Sequence, residues 1–150
     1  MTYLKNQIEE IMKVLKKEYG NPSSVYSLSA VTKNAIEDAR KKVAQAFNAE
    51  PKEILFTSGA SEADNWAIKG IAETLKDKGN HLITTKIEHH AVLHTMEYLE
   101  KNGYEVTYLD VDEDGLISLS ELENAITDKT ILISIIFGNN EIGTIQPIKE

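Results

Sequence analysis

The sequence predicts an α/β fold in which a mostly parallel sheet is covered by helices. Two observations carry this. From Ile54 onward, four short runs rich in β-formers (residues 54–56, 81–85, 104–109 and 130–137) alternate with stretches whose apolar residues recur every three or four positions, giving strand, helix, strand, helix, strand, helix, strand. The last run, Thr130-Ile131-Leu132-Ile133-Ser134-Ile135-Ile136-Phe137, lacks polar alternation, as expected of a parallel strand buried on both faces.

Before the first strand, Leu4, Ile8, Ile11, Met12 and Leu15 fall at helical spacing and predict an amphipathic helix over about residues 4–18. Gly20-Asn21-Pro22-Ser23-Ser24 then makes a turn, since Gly and Asn tolerate positive φ and the residue before Pro is pushed out of the helical region. Ala35, Ile36, Ala39, Val43, Ala46 and Phe47 mark a second amphipathic helix that packs on the core, with Thr32 or Ser29 as its cap.

The chain is organised around residues 54–65. Ile54-Leu55-Phe56 reads as a buried strand that meets the small-residue turn Thr57-Ser58-Gly59-Ala60-Ser61. A helix follows, with Ala63, Trp66, Ala67, Gly70, Ile71 and Leu75 on one face. Ser61 is the expected N-cap, and Asp64 completes a Ser-x-x-Asp capping box. A helix start offers unpaired N–H groups and a positive partial charge, so this turn is a candidate phosphate cradle. It lacks Gly-x-Gly-x-x-Gly and a Gly-Lys-Ser/Thr ending, so it is neither a dinucleotide nor a nucleotide loop.

His81-Leu82-Ile83-Thr84-Thr85 is the next strand, which places Glu88 and His89 just after it. In open α/β sheets ligands gather at the carboxyl ends of strands, where an imidazole such as His89 can lie over a flat ring and handle protons near neutral pH. Leu93, Met96 and Leu99 form the apolar side of the helix that follows, ending at Asn102-Gly103. His90 and His94 sit one turn apart, but no third ligand completes a metal set, so no metal site is assigned.

Residues 110–121 match the calcium-loop pattern Asp-x-Asp-x-Asp-Gly-x5-Glu in full. A calcium-binding hand needs a helix on each side, yet Tyr104-Glu105-Val106-Thr107-Tyr108-Leu109 enters as a strand. The exit is a helix with Ser118 and Glu121 as a capping box and Leu122, Ala125 and Ile126 on its buried face. Calcium binding is therefore not expected. The final strand leads into Gly138-Asn139-Asn140-Glu141-Ile142-Gly143, again at a strand's carboxyl end.

Four ordered motifs resemble the cysteine desulfurases, pyridoxal-phosphate (PLP) enzymes of the class V aminotransferase family. They are Tyr19-Gly20-Asn21-Pro22-Ser23-Ser24; Phe56-Thr57-Ser58-Gly59-Ala60-Ser61-Glu62-Ala63-Asp64-Asn65 with Ala67-Ile68-Lys69-Gly70; Lys86-Ile87-Glu88-His89; and Asn139-Asn140-Glu141-Ile142-Gly143-Thr144-Ile145-Gln146-Pro147. The resemblance implies the fold-type I PLP-dependent transferase architecture. On it, residues 1–150 are an incomplete large domain, with the remainder of that domain and a C-terminal small domain lying beyond. It also implies that Ala60 and Ser61 hold the PLP phosphate, that His89 stacks on the ring and assists proton transfer, and that Asn140 donates to the ring oxygen.

The implied reaction takes sulfur from L-cysteine to give L-alanine and an enzyme persulfide. The implied partners are an iron–sulfur scaffold or another sulfur acceptor, such as one serving thiolated tRNA, and a second subunit of a homodimer. Family members begin with a strand ahead of the first helix, so this N-terminus reads as clipped or started late. Their coenzyme-bearing lysine, pyridine-nitrogen aspartate, substrate arginine and persulfide cysteine would all follow Glu150, so the chain alone is expected to be inactive. The alternatives are another class V PLP enzyme, of aminotransferase or selenocysteine lyase type, and a non-enzymatic calcium-binding or interaction module.

Composition agrees with one globular domain: 150 residues, 41% hydrophobic and 27% charged. A net charge of −8 argues against nucleic acid as a direct partner. No apolar run reaches membrane-spanning length and no signal-peptide order opens the chain, so the expected location is cytoplasmic. The absence of cysteine excludes disulfides and a thiol nucleophile within these residues.

Overall fold

The computed structural model describes residues 2–17 and 20–150. Glu18, expected to end the first helix, and Tyr19, which opens the first turn motif, lie outside the described residues. The chain falls into two compact units, Met1–Phe56 and Thr57–Glu150.

In the first unit, helix α1 (Thr2–Lys17) carries the expected apolar stripe, with Leu4, Ile8, Ile11 and Leu15 exposed. Helix α2 (Ser27–Ala46) starts ahead of both expected caps. Its N-cap is Tyr26, whose side chain makes no capping bond, and Ser29 is buried inside the first turn. Among the described residues of α2 the buried apolar one is Ala44, while Phe47 is exposed. A 3-10 turn at Pro51–Glu53 follows, opened by the proline and closed by the Glu53 carboxylate accepting from the Glu50 N–H at 2.7 Å.

The segment after this turn corrects the sequence reading. Residues 54–56 form no strand, and Leu55 and Phe56 are exposed rather than buried. An extended chain becomes a strand only when a neighbour takes its backbone bonds, and among the described residues none does. Instead the Arg40 guanidinium donates to the Ile54 carbonyl and lies 5.0 Å from the Phe56 ring centre.

The second unit is a three-stranded parallel sheet with helices packed on it, as predicted. Its elements are α3 (Ala60–Leu75), β1 (His81–Thr85), α4 (His90–Lys101), β2 (Glu105–Leu109), α5 (Leu119–Ala125) and β3 (Thr130–Ile133), in strand order β2-β1-β3. β1 is central and wholly buried. It pairs Leu82 with Val106 on one side and with Leu132 on the other. Ile68 and Ala72 of α3 and Val92, Met96 and Leu99 of α4 pack with Leu82 into one core, bordered by Tyr104, Val106, Tyr108, Ile131 and Leu132. Burial of this kind is worth roughly 25 cal/mol per Å² of apolar surface, which makes it the main force holding the helices to the sheet. His81 is a satisfied core histidine, bonded to Thr130 Oγ1 at 2.7 Å and Thr107 Oγ1 at 2.9 Å across both neighbouring strands.

Three further expectations are corrected. The buried residues of α3 are Ile68 and Ala72, whereas Trp66 and Ile71 of the predicted face are exposed; the sheet and α4 take a neighbouring stripe of that helix. The last strand is shorter than residues 130–137 and only half-buried, with Ile133 exposed, because β3 is an edge of the described sheet. In α5 Ile126 is exposed, and Leu122 and Ala125 are half-buried.

Candidate functional site

Two loops leave adjacent parallel strands at the same end of the sheet, since β1 and β3 pair directly. The loop after β1 carries residues 86–89 into α4. His89 is the N-cap of that helix, and its Nδ1 accepts from the Ala91 N–H at 3.1 Å. With Nδ1 committed, the neutral ring carries its proton on Nε2. His89 is exposed, so that edge is available to a ligand.

The loop after β3 folds back on itself. Asn139 N–H donates to the Thr144 carbonyl, and Gly138 bridges Ile145. The Asn139 side chain works in both directions: Oδ1 accepts from the Glu141 and Ile142 N–H groups at 2.9 and 3.0 Å, and Nδ2 donates to the Ile87 carbonyl at 3.0 Å. Asn140 beside it is exposed and makes no side-chain hydrogen bond to the described residues.

The two loops are also joined by Glu88, which is 8% exposed. Its Oε1 accepts from Thr85 Oγ1 at 2.9 Å and from the Ile136 N–H at 2.7 Å. Burial raises the Glu88 carboxyl above its ordinary pKa, and the nearby Asp64 charge adds to this; the Ile136 and Thr85 bonds partly oppose it. Between the loops lies a cavity of about 300 Å³, whose lining includes Lys86, Glu88, His89, Asn139 and Asn140.

The structure therefore brings His89 and Asn140 to one cavity. Ala60 and Ser61 do not line it: they open α3, which packs against α4. The connection runs through Asn65, whose Nδ2 donates to the Ser61 carbonyl at 2.9 Å and the Ala91 carbonyl at 3.5 Å. Ser61 is not the cap. The helix starts two residues earlier, with Gly59 at the N-cap, and Ser58 donates from its N–H and hydroxyl to the Glu62 carboxylate at 2.6 and 2.7 Å. These two bonds hold Glu62 below its ordinary pKa. Ser61 Oγ consequently has no partner among the described residues. A Cβ on Gly59 would meet nothing within 4 Å, so the chain's own packing does not explain a glycine there.

Lys86 borders the cavity, but its Nζ is paired with Asp110 Oδ1 at 2.6 Å. His90 and His94 stack with ring centres 5.3 Å apart, and among the described residues no three metal-ligating side chains gather at one point. The calcium-like segment is entered by β2 and left by α5, with Ser118 Oγ accepting from Glu121 N–H at 3.3 Å. Asp112 Oδ1 is occupied by the Asp114 and Leu116 N–H groups at 3.0 and 2.8 Å. This segment supports the loop after β3: Thr144 Oγ1 donates to the Asp114 carbonyl at 2.6 Å, while buried Gln146 accepts from Ile117 N–H and donates to the Gly115 carbonyl. No helix among the described residues is long and apolar enough to cross a membrane.

The aminotransferase class-V family model matches residues 3–150. The chain belongs to the class V aminotransferases. It is 61% identical over 150 residues to the cysteine desulfurase IscS of Clostridium botulinum strain Hall, covering 99% of this chain and 38% of the relative. The IscS of Methanosarcina thermophila is 60% identical over 146 residues, 97% of this chain and 36% of that one. Among solved structures, a NifS-like protein matches with a TM-score of 0.89 at 44% identity, covering 94% of this chain and 39% of that chain. SspA in complex with cysteine matches with a TM-score of 0.88 at 44% identity, over 96% of this chain and 42% of that one. This class V chain thus spans little more than a third of the length of the curated relatives it matches.

Glu88, Asn139 and Gln146 were not singled out by sequence reasoning. Thr85 and Glu88 stand three apart as in a Thr-x-x-Glu capping box, yet here the Thr85 hydroxyl donates to the Glu88 carboxylate and His89 is the cap. Nothing in one sequence says that Asn139 and Gln146 turn inward.

Proposed function

We propose that this chain is the N-terminal part of the coenzyme-binding domain of a PLP-dependent cysteine desulfurase. The observation that carries the reading is the cavity that His89 and Asn140 share at the ends of two adjacent parallel strands, where α/β sheets place ligands. The residues present suit PLP. The first turn of α3 and the uncommitted Ser61 hydroxyl suit a phosphate, the exposed His89 ring suits a flat heterocycle, and the free Asn140 amide suits a phenolate oxygen.

When bound, PLP supplies the electron sink for bond cleavage next to an amino group. In this reading Ala60 and Ser61 anchor its phosphate through N–H and hydroxyl donors. His89 covers the ring and exchanges a proton at Nε2, while Nδ1 stays fixed by Ala91. Asn140 donates from its amide to the ring oxygen and so orients the plane. The remaining parts are a lysine that carries the coenzyme, a pyridine-nitrogen aspartate, a substrate-binding arginine and a persulfide cysteine, from the rest of the large domain and a C-terminal small domain. The substrate is L-cysteine, the products are L-alanine and a persulfide passed to an iron–sulfur scaffold or other sulfur acceptor, and the setting is a cytoplasmic homodimer.

The coding DNA beyond codon 150 tests this. The expected frame encodes a Ser-x-His-Lys segment and a later cysteine, and its product releases L-alanine from L-cysteine, whereas the 150-residue chain alone fixes no PLP to lysine under borohydride and yields no alanine. A product that transaminates, or that lacks the cysteine and leaves L-cysteine untouched, would overturn the assignment.

A further inference from the structure

His89 and Asn140 are both exposed, on separate loops, and neither is held against the other directly. Exposed loop side chains placed by nothing else would leave their mutual position to chance, and a binding site loses its affinity when its groups must be ordered at the moment of binding. The chain supplies two reciprocal connections. Glu88, next to His89, reaches across to the Ile136 N–H at the foot of the β3 loop. Asn139, next to Asn140, reaches back to the Ile87 carbonyl in the β1 loop, while its Oδ1 gathers the Glu141 and Ile142 N–H groups.

We propose that Glu88 and Asn139 are positioning residues, each reaching from one loop to the backbone of the other, and that together they hold His89 and Asn140 on the rim of one cavity. This rests on the coenzyme reading only for what the cavity holds; the clamp itself stands on the hydrogen bonds. Neither side chain needs to touch a ligand. Glu88 is buried and spends Oε1 on two donors, and Asn139 spends both ends of its amide within the loops. The geometry also separates the two asparagines, which look equivalent in sequence: Asn139 is consumed by the scaffold and Asn140 is left for recognition.

The test is site-resolved amide hydrogen exchange on the 150-residue chain, comparing wild type with Glu88→Ala, Glu88→Gln and Asn139→Asp. Ala91 N–H reports on the His89 ring because His89 Nδ1 accepts from it, and Ile136, Glu141 and Ile142 report on the other loop. Losing a charge-assisted bond should speed exchange at Ile136 by about 10- to 100-fold in Glu88→Ala. Ala91, Glu141 and Ile142 should accelerate with it, while amides of the β1–β2 ladder stay within about threefold. Glu88→Gln keeps an acceptor oxygen and should restore protection. Asn139→Asp keeps the turn but loses the donor to Ile87, and should accelerate Ala91 while sparing Glu141 and Ile142.

Acceleration confined to Ile136, equal acceleration throughout the sheet, or no rescue by Glu88→Gln would each overturn the clamp. A parallel titration with pyridoxamine phosphate, followed by chemical shifts at His89 and Asn140, separates the two ideas. Binding to wild type that is about tenfold weaker in Glu88→Ala supports both. A wild type that takes up none counts against the coenzyme reading alone, and the clamp is then judged by the exchange pattern.

Discussion

Gln146→Leu changes shape little and removes two hydrogen bonds from the interior. Gln146 is 2% exposed; its Oε1 accepts from Ile117 N–H at 3.1 Å and its Nε2 donates to the Gly115 carbonyl at 2.6 Å. Leucine would leave both backbone groups without a partner, at roughly 1–3 kcal/mol each. Burying the apolar side chain returns roughly 1.5–3 kcal/mol. The net expectation lies between a gain of about 1 and a loss of about 4.5 kcal/mol, centred on a loss of about 2 kcal/mol, readable by urea unfolding followed by circular dichroism at neutral pH.

Gln146→Glu sharpens the test. Its carboxylate still accepts from Ile117 but turns a buried negative charge toward the Gly115 carbonyl, so it should cost more than leucine at neutral pH. Protonating that carboxyl restores a donor, so the gap between the two variants should narrow as pH falls toward about 4, the ordinary range of a glutamate. A Gln146→Leu chain more stable than wild type by over ~1 kcal/mol would refute the reasoning. So would a Gln146→Glu chain equal to Gln146→Leu at neutral pH.

Gly79→Ala would drive a Cβ into the Lys129 carbonyl oxygen and place it 2.7 Å from the carbonyl carbon; the obstacle is backbone, so a loss of about 1–3 kcal/mol is expected in thermal unfolding, and an unchanged melting temperature would contradict the close approach. Glu88 has a folded pKa raised by burial, so the folded state holds its proton more tightly than the unfolded one. Its stabilising contribution is therefore full below the unfolded value of 4.5 and lost as pH rises through the folded pKa. Glu88→Gln should gain on wild type in stability at neutral pH and lose that advantage in acid, and a pH-independent difference would deny the raised pKa. For residues 110–121, calorimetry should find no calcium binding tighter than about millimolar; a tighter site would mean that Asp112 gives up its Asp114 and Leu116 bonds for the ion.

Much of the fold was legible because periodicity reports which face of an element meets the core. The α/β order, β1 and β2, and the placement of α4 and α5 follow from spacing and turn residues alone. The failures share a cause. The Ile54-Leu55-Phe56 run has strand chemistry but no paired neighbour among the described residues, and residues 134–137 continue an apolar run beyond β3, where Ser134 N–H still donates to the Ile83 carbonyl but the Ile136 N–H is taken by the Glu88 side chain. Spacing puts Trp66 and Ile71 on one face of α3 with Ala63, Ala67, Gly70 and Leu75, yet the buried stripe is that of Ile68 and Ala72. Hydrophobicity says that a residue is suited to burial; what stands opposite decides whether it is buried.

The candidate site divides along the same line. His89 and Asn140 could be nominated from sequence because a ligand-facing residue keeps its free valence, and its type hints at the chemistry. Glu88, Asn139 and Gln146 have spent theirs on backbone groups far along the chain: Glu88 on Ile136, Asn139 on Ile87, Gln146 on Gly115 and Ile117. Such partners are set by how β1 and β3 pair and by how residues 110–118 return beneath the last loop, which is long-range information. This also accounts for the full calcium-loop pattern in a segment that enters as a strand. Asp112 fixes a tight turn through two backbone amides, and Gly115 stands at φ 79° where a Cβ would come within 2.5 Å of Ile142 Cδ1. The carbonyls of Asp114 and Gly115 then face the loop that carries Asn140. The same acidic and glycine residues that would wrap a cation here form a bracket for a neighbouring loop.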